Sequence, residues 1–261
     1  MGLASWIRYE TKRSFTYIQI AGASSWFRRY QRLGFLGRVE VDRNHFLEGD
    51  SVAADSASLR DNSLIKTTGS VSFDHRDNFA DPLKGLYEVF TLAILNEIRG
   101  NNAQFAKLDW SQEYNYSPFR SLTLSSSLRL NRAQVFEEHT SIPSNELYQL
   151  GGDDTVRGFN EDSLGPVDAN NDPTGARTRW IFNQELRLRS RTGLALGLFY
   201  DIGHLTDTFG ELSFVHARHS AGLGLRYLTP VGPIRADYGF KLDRKPGEDR
   251  GRFHLTFGYS F

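Results

Sequence analysis

The sequence has 261 residues, of which 39% are hydrophobic and 24% charged, and its formal net charge is zero. This balance gives no reason to expect nucleic acid as a partner. The chain contains no cysteine, which excludes a disulfide framework, a thiolate nucleophile and a cysteine-ligated metal. No run approaches the roughly 18 apolar residues of a membrane-spanning helix. A membrane β-barrel is compatible with these totals, because its strands alternate lipid-facing and lumen-facing residues.

The first residues, from Met1 to Trp6, contain no basic segment followed by an apolar core. A secretory signal is therefore missing from the sequence as it stands. We expect a mature chain, or a fragment with an added start, rather than a protein that is not exported.

Alternation of apolar and polar residues predicts about seven strands before residue 137 and about five sharper ones after residue 178. Short turns are predicted near 117–120, 189–193 and 229–233, and longer loops near 43–63, 137–178, 203–217 and 242–251. Short turns on one side and long loops on the other are typical of outer-membrane barrels. Aromatic residues at strand ends fit interfacial girdles: Trp110, Tyr116, Trp180, Tyr227, Tyr259 and Phe261.

The alternative architecture is a soluble all-β sandwich or a lipocalin-like barrel. Such a fold would bury leucine and phenylalanine and expose the charged residues, and alternation alone does not say which face is which. The polar faces carry many Gly, Ser and Ala residues, and the strands are too many for a small closed soluble barrel. Both observations favour a transmembrane antiparallel β-barrel of about twelve strands.

Several motifs in one order resemble a known family. Residues 151–159, with a glycine pair followed by Val156-Arg157-Gly158-Phe159, resemble the signature loop of the outer-membrane assembly-factor superfamily, also called the bacterial surface antigen family. Residues 199–203 resemble a later strand with an Asp-x-Gly motif. Residues 222–235 resemble the penultimate hairpin, most like the BamA and TamA branch. The similarity covers about residues 65–261.

The resemblance implies a barrel of the Gram-negative outer membrane that takes part in membrane-protein insertion or polypeptide translocation, without cofactor or catalysis. Its partners would be the lipid bilayer with its lipopolysaccharide and unfolded outer-membrane clients, and both monomer and dimer stay open. Two departures stand out, because family barrels have sixteen strands and carry periplasmic POTRA repeats that this sequence lacks. The alternative function is a passive pore, or a structural barrel that has lost insertase function.

Arg157, beside Gly158, suits the tip of a tight loop that approaches a wall closely. Strand parity places Glu185 and Asp201 on the polar faces of adjacent strands, so both carboxylates would point into a barrel lumen. One guanidinium could pair bidentately with one carboxylate and bond the other. The resemblance implies the same arrangement. We therefore expect residues 137–178 of the single domain 1–261 to fold into the lumen, with Val156 to Phe159 as the anchor.

The resemblance also implies a weak seam, where the first and last strands meet and can open sideways. Gly258 removes a side chain near the end of the last strand and weakens its pairing. By alternation, the first strand around Trp6 is a poor partner for it. We assign the seam to Trp6, Gly258, Tyr259 and Phe261. The alternative is that Gly258 simply packs against a neighbour.

A calcium loop is hinted at by Asp168, Asn170 and Asp172. However, the following glycine, Gly175, is misplaced, and Arg179 stands where such a loop needs a bidentate glutamate. No nucleophile motif and no phosphate-binding glycine-rich loop stands out. We therefore expect neither a metal site nor an enzyme.

Overall fold

The computed structural model of the chain describes residues 2–12, 15–49, 61–79, 81–137, 139–190, 193–229 and 232–257. These residues form twelve antiparallel β-strands in one sheet, with each strand hydrogen-bonded to its neighbour in sequence. The strands are β1 Gly2–Thr11, β2 Phe15–Tyr30, β3 Leu33–Gly49, β4 Asn62–Asp74, β5 Gly85–Arg99, β6 Gln104–Phe119, β7 Leu122–Val135, β8 Thr178–Arg189, β9 Leu194–Thr206, β10 Arg218–Thr229, β11 Gly232–Lys241 and β12 Gly251–Phe257.

No helix in the described part of the chain is long and apolar enough to span a membrane.

The sheet has an exposed apolar face and a buried polar face, the reverse of a soluble protein. In β9, Leu196 and Leu198 are 47% and 48% exposed. Asp201, which lies on the opposite face of the same strand, is fully buried. In β10, Leu223 is half exposed and Ser220 is fully buried. Lipid-facing leucines and an inward polar face are the pattern of a transmembrane barrel. The burial pattern therefore excludes the soluble alternative that alternation leaves open.

Connections alternate between the two ends of the sheet. One end carries the short connections 31–32, 120–121, 190–193 and 230–231, together with the longer turn 75–84. The other end carries the long connections 50–61, 136–177, 207–217 and 242–250, and we call it the long-loop rim. The short connections 12–14 and 100–103 also lie at this end, so the predicted separation of short turns from long loops is incomplete.

Several predicted loops and turns are partly strand, including the start of the predicted loop 203–217, which belongs to β9. Most of the first half of the predicted loop 43–63 belongs to β3, where Arg43 pairs with Ile20 and Phe46 with Tyr17. The predicted turn 117–120 largely belongs to β6, which pairs to Phe119 after a register shift. Backbone hydrogen bonding continues the ladder through polar residues beyond the apolar band, and a hydropathy pattern does not register this continuation.

The core lies between the inner face of the sheet and the connection 136–177, which we call the inner loop. Half of the residues in the main cluster of buried apolar side chains belong to the inner loop, and these include Leu150, Val156, Phe159 and Leu164. They pack against strand residues that include Leu64, Leu95, Phe105, Ile181 and Leu205. The inner loop thus supplies half of the core, and the barrel interior is filled around it.

The described strand pairings run from β1 to β12 and include none between these two end strands. Of the predicted seam residues, Gly258, Tyr259 and Phe261 lie outside the described residues. Trp6 lies in β1, where its Nε1 donates a hydrogen bond to Gln19 at 3.4 Å and the Arg38 guanidinium stacks 5.0 Å from the ring. Its contacts are therefore with the neighbouring wall strands β2 and β3.

Candidate functional site

The inner-loop segment from Val156 to Phe159 is buried against the inner face of β8 to β12. Val156 is inaccessible to solvent, and the Phe159 ring is 1% exposed. Two cations contact the Phe159 ring, the Arg218 guanidinium at 4.6 Å and the Lys241 ammonium at 5.1 Å from its centroid. Cation–π attraction is strongest in such desolvated positions. Phe159 therefore ties the loop to β10 and β11 as well as filling space.

Gly158 permits the close approach of the loop to the wall. Its φ of 89° lies in the left-handed region, and a Cβ there would stand 2.9 Å from the Gly239 carbonyl carbon of β11. A Cβ on Gly239 would in turn stand 2.6 Å from the Gly158 nitrogen. The two backbones are in direct contact, so both positions require the absence of a side chain.

Arg157 binds two carboxylates on adjacent strands. Its Nε and Nη2 donate to the two oxygens of Asp201 at 2.7 and 2.8 Å, and its backbone N–H donates to the same carboxylate at 3.1 Å. Its Nη1 donates to Glu185 at 3.0 Å. Paired N–H donors facing both oxygens form the strongest geometry available to arginine. Asp201 is fully buried, so this charge lacks solvent and depends on its protein partners.

A third carboxylate and an aromatic ring complete the site. Asp237 of β11 lies 3.5 Å from Arg157 Nη1, and the Phe199 ring centroid lies 3.5 Å from the guanidinium carbon. Arg226 of β10 bridges Glu185, at 2.8 Å, and Asp237. Four consecutive strands, β8 to β11, thus contribute side chains to one charge network.

Burial disfavours the charged form of Arg157, but hydrogen bonding to Asp201 and the charges of Asp201, Glu185 and Asp237 outweigh it. The pKa of Arg157 is therefore raised above its already high ordinary value. The guanidinium stays charged at every relevant pH, so it serves as a fixed electrostatic tie and not as a proton donor.

A second anchor holds the start of the inner loop on the opposite wall. Glu146 ends a short 3₁₀ helix, Ser144–Glu146, and its carboxylate contacts Lys66 at 2.5 Å and Lys107 at 3.3 Å. Lys66 also pairs with Asp42 at 2.7 Å. Burial alone would raise the pKa of Glu146, but Lys66 and Lys107 outweigh it and hold that pKa below its usual range. Glu146 is therefore ionised and paired, and it links the loop to β4 and β6.

The tip of the inner loop touches both edges of the sheet. On the β12 side, the Gly158 N–H donates to His254 Nε2 at 3.1 Å and Thr256 donates to Asp153 at 2.6 Å. On the β1 side, Asp162 lies 3.7 Å from Lys12, which follows β1. Residues 153–162 therefore span the gap between the end strands.

The site predicted from sequence consists of Val156, Arg157, Gly158, Phe159, Glu185 and Asp201, and the structure brings these six residues together. Sequence reasoning missed Asp237, Gly239 and the Glu146 anchor. Strand parity places Asp237 on a polar face, so its place in the charge network could have been predicted. No local sequence pattern links Glu146 with Lys66. The carboxylate of Asp168, considered for calcium, accepts backbone N–H groups from Asn170 and Asp172 and closes a turn.

Replacing Arg157 with alanine removes a cation from the buried carboxylates of Asp201 and Asp237 and from the partly buried Glu185. We expect Arg157→Ala to lower the free energy of unfolding by about 3–5 kcal/mol. Residues 139–177 should also become protease-sensitive in detergent. Arg157→Lys should lie in between, because it keeps the charge and loses the bidentate fork. The matched control is Arg177→Ala, since the Arg177 side chain is 40% exposed and its pair with Asp207 is weak. Unchanged stability and protease resistance in Arg157→Ala would refute the anchor.

Adding one methyl group at the glycine contact should displace the loop tip. We expect Gly239→Ala to cost about 1–3 kcal/mol of stability, the range for overpacking a closed site. The control is Gly69→Ala in β4, where an added Cβ would meet nothing within 4 Å. Chemical denaturation of both variants in the same detergent measures the difference, and equal costs would contradict the backbone contact.

Glu146 gives the inner loop a defined acid sensitivity. Because its folded pKa is lowered, its contribution to stability is complete above the ordinary carboxyl pKa and is lost as the pH falls through the lowered value. Glu146→Gln should cost about 3–5 kcal/mol near neutral pH and remove this part of the acid response. Hydrogen exchange of residues 144–148 across pH is the measurement. Glu137→Gln, at an exposed position of the same loop, should behave like the parent chain.

Comparison with known proteins adds the family. A model described as the Omp85 superfamily domain matches residues 9–261. The chain is 28% identical over 239 residues to the outer membrane protein assembly factor BamA of Nitratidesulfovibrio vulgaris, covering 85% of this chain and 29% of that protein. It is 29% identical over 225 residues to a SAM50-like protein of Schizosaccharomyces pombe, covering 79% and 46%. The chain thus spans less than half the length of these relatives.

Solved structures share the fold at low sequence identity. BamA from Haemophilus ducreyi lacking POTRA domains 1–3 superposes with a TM-score of 0.78 at 12% identity, covering 96% of this chain and 56% of that one. CdiB from Acinetobacter baumannii gives a TM-score of 0.59 at 13% identity, covering 92% and 41%. The match of the family model over nearly the whole sequence, together with this shared barrel fold, shows that the chain belongs to the Omp85 superfamily.

Proposed function

We propose that this barrel inserts or translocates polypeptides at a bacterial outer membrane, through the seam between β1 and β12. The observation that carries the proposal is the inner-loop tip, residues 153–162, which contacts both edges of that seam. Among the described residues these two edges do not pair with each other, so a segment that contacts both is placed to hold them together and to release them.

The exposed edge of β1 supports this reading. Its outward side chains Leu3, Ile7 and Tyr9 are 85%, 76% and 66% exposed, and its only described strand partner is β2. An edge strand presents unpaired N–H and C=O groups that template another strand. A client segment could therefore pair with β1 by strand addition, with its apolar side chains toward lipid.

The name of one relative supports the same function, because BamA of Nitratidesulfovibrio vulgaris is named an outer membrane protein assembly factor. Insertion or translocation of a polypeptide requires no covalent bond to be made or broken. In the proposal the ionised network around Arg157 is structural, no cofactor or metal takes part, and the partners are lipid, including lipopolysaccharide, and unfolded outer-membrane clients.

The test uses the absence of native cysteine. Lys12→Cys with Asp162→Cys places one thiol on each side of the contact between the loop tip and the β1 edge, where the two side chains now lie 3.7 Å apart. A short, reducible thiol-to-thiol cross-linker would lock the loop tip to that edge. The chain is reconstituted in liposomes, and the folding rate of an added client barrel is measured together with ion conductance. We expect acceleration by the parent chain, loss of acceleration in the cross-linked double variant, and recovery on reduction.

The control lock is Asn62→Cys with Asn145→Cys, which joins the inner loop to the opposite wall where these side chains hydrogen-bond at 3.1 Å. It restrains the same loop away from the seam, so client folding should remain accelerated. Steady conductance without client acceleration by the parent chain would instead support the passive pore and sink the proposal. Equal inhibition by both locks would show that loop rigidity matters and the seam does not.

A further inference from the structure

We infer that the outer wall of β5 to β8, at the long-loop rim, binds one anionic phospholipid with its phosphate at Arg132. The inference concerns a face of the barrel that the proposed function does not use. It rests on a cleft, on a connection folded over that cleft, and on an arginine whose described partners are all neutral.

The cleft has a volume of about 130 Å³ and lies on the lipid-facing side. Its floor is formed by outward side chains of three strands, Phe90, Leu108, Trp110 and Leu130. Register places Phe90 beside Trp110 and Trp110 beside Leu130, so these rings and leucines form a continuous row across the wall. Such a surface suits an acyl chain.

The connection 207–217, which we call the outer flap, folds over this wall. Its Leu212 packs on a cluster that contains Trp180 and Ile202, and the Phe214 ring centroid lies 4.6 Å from that of Trp180. Phe209 and Leu212 close one side of the cleft. Phe209 and Phe214 remain 64% and 74% exposed. Aromatic residues exposed at a strand end are typical of the membrane interface, so the flap places the cleft mouth at headgroup level.

Arg132 stands at this mouth. It donates to Thr178 Oγ1 at 2.5 Å, to Gln134 Oε1 at 2.6 Å and to the Asp207 carbonyl at 3.2 Å, and its guanidinium lies 6.0 Å from the Phe209 ring centroid. All three acceptors are neutral oxygens. These bonds use three of the five N–H donors of the guanidinium.

Charge complementarity selects the occupant. None of the ion pairs found among the described residues includes Arg132, whereas Arg218, at the same rim, pairs with Asp243 and Glu248. The Asp207 carboxylate lies 3.9 Å from Arg177 and accepts its backbone N–H. Asp109, which also lines the cleft, accepts hydrogen bonds from Asn131 and Tyr148. A guanidinium above an apolar cleft matches a phosphate joined to acyl chains, because both parts find a partner at once.

The test is native mass spectrometry of the detergent-purified full chain titrated with phosphatidylglycerol. The parent chain should hold one lipid, and Arg132→Gln should weaken binding about tenfold, as expected for losing one charge-assisted contact. Leu212→Ala should weaken binding by opening the cleft while leaving the charge in place. The control is Arg43→Gln, an exposed arginine on the outer face of β3, which should bind like the parent. Heat-modifiability of each variant verifies that the barrel is intact.

Two further arms identify the source of the phosphate. Inorganic phosphate at millimolar concentration should not displace the lipid, because it brings no acyl chain. Phosphatidylcholine should bind more weakly than phosphatidylglycerol, because its net charge is zero. Equal binding by Arg132→Gln and the parent overturns the inference, and so does displacement by inorganic phosphate or equal affinity for the two lipids.

Discussion

The fold depends on one constraint, that the carboxylates of Asp201 and Asp237 on the inner wall cannot remain buried without a cation. These residues are 0% and 1% exposed. Glu185, whose side chain is 16% exposed, pairs with Arg157 and Arg226 beside them. Wall arginines such as Arg226 neutralise part of this charge, but the bidentate fork on Asp201 comes from Arg157 of the inner loop. Breaking a buried pair leaves an uncompensated charge, which costs far more than an exposed pair contributes. The stability of the barrel wall therefore depends on the inner loop, although in the chain this loop is only the connection between two strands.

The second anchor, Glu146, fixes the inner loop to the wall at a second point. Glu146 fixes the start of the loop to Lys66 and Lys107, while Arg157 fixes its tip to β8 and β9. Loop residues supply half of the main cluster of buried apolar side chains, and wall residues such as Leu64, Phe105 and Ile181 supply most of the rest. An inverted sheet, apolar toward lipid and largely polar inside, lacks enough inward apolar surface to form a core alone. The loop completes that core, and its two ionic anchors define where the core lies.

Strand parity predicts much of this arrangement. It assigns Glu185 and Asp201 to inward faces, and a loop arginine flanked by glycine then has two partners. It fails where the partner is distant in sequence and unmarked locally. Nothing around Glu146 indicates that its carboxylate reaches β4, and the contact of Gly158 with Gly239 depends on how deeply the loop enters. Parity also leaves open which face is lipid-facing, because alternation is symmetric, and the exposed leucines of β9 decide it. The polar ends of strands such as β3 are missed because backbone pairing does not need apolar side chains.

The strengths of the seam contacts differ between its two sides, and this difference indicates which side moves in the proposed function. On the β12 side the loop tip is held by Arg157, by the Gly158–Gly239 backbone contact and by bonds to His254 and Thr256. On the β1 side the described tie is the Lys12–Asp162 pair at 3.7 Å, with side chains 30% and 19% exposed. An ion pair with this degree of solvent exposure contributes about 0–1 kcal/mol to stability. Separation of the edges therefore breaks the Lys12 contact first. The inner loop stays with the last strand, and the first hairpin carries the free edge that a client strand would meet.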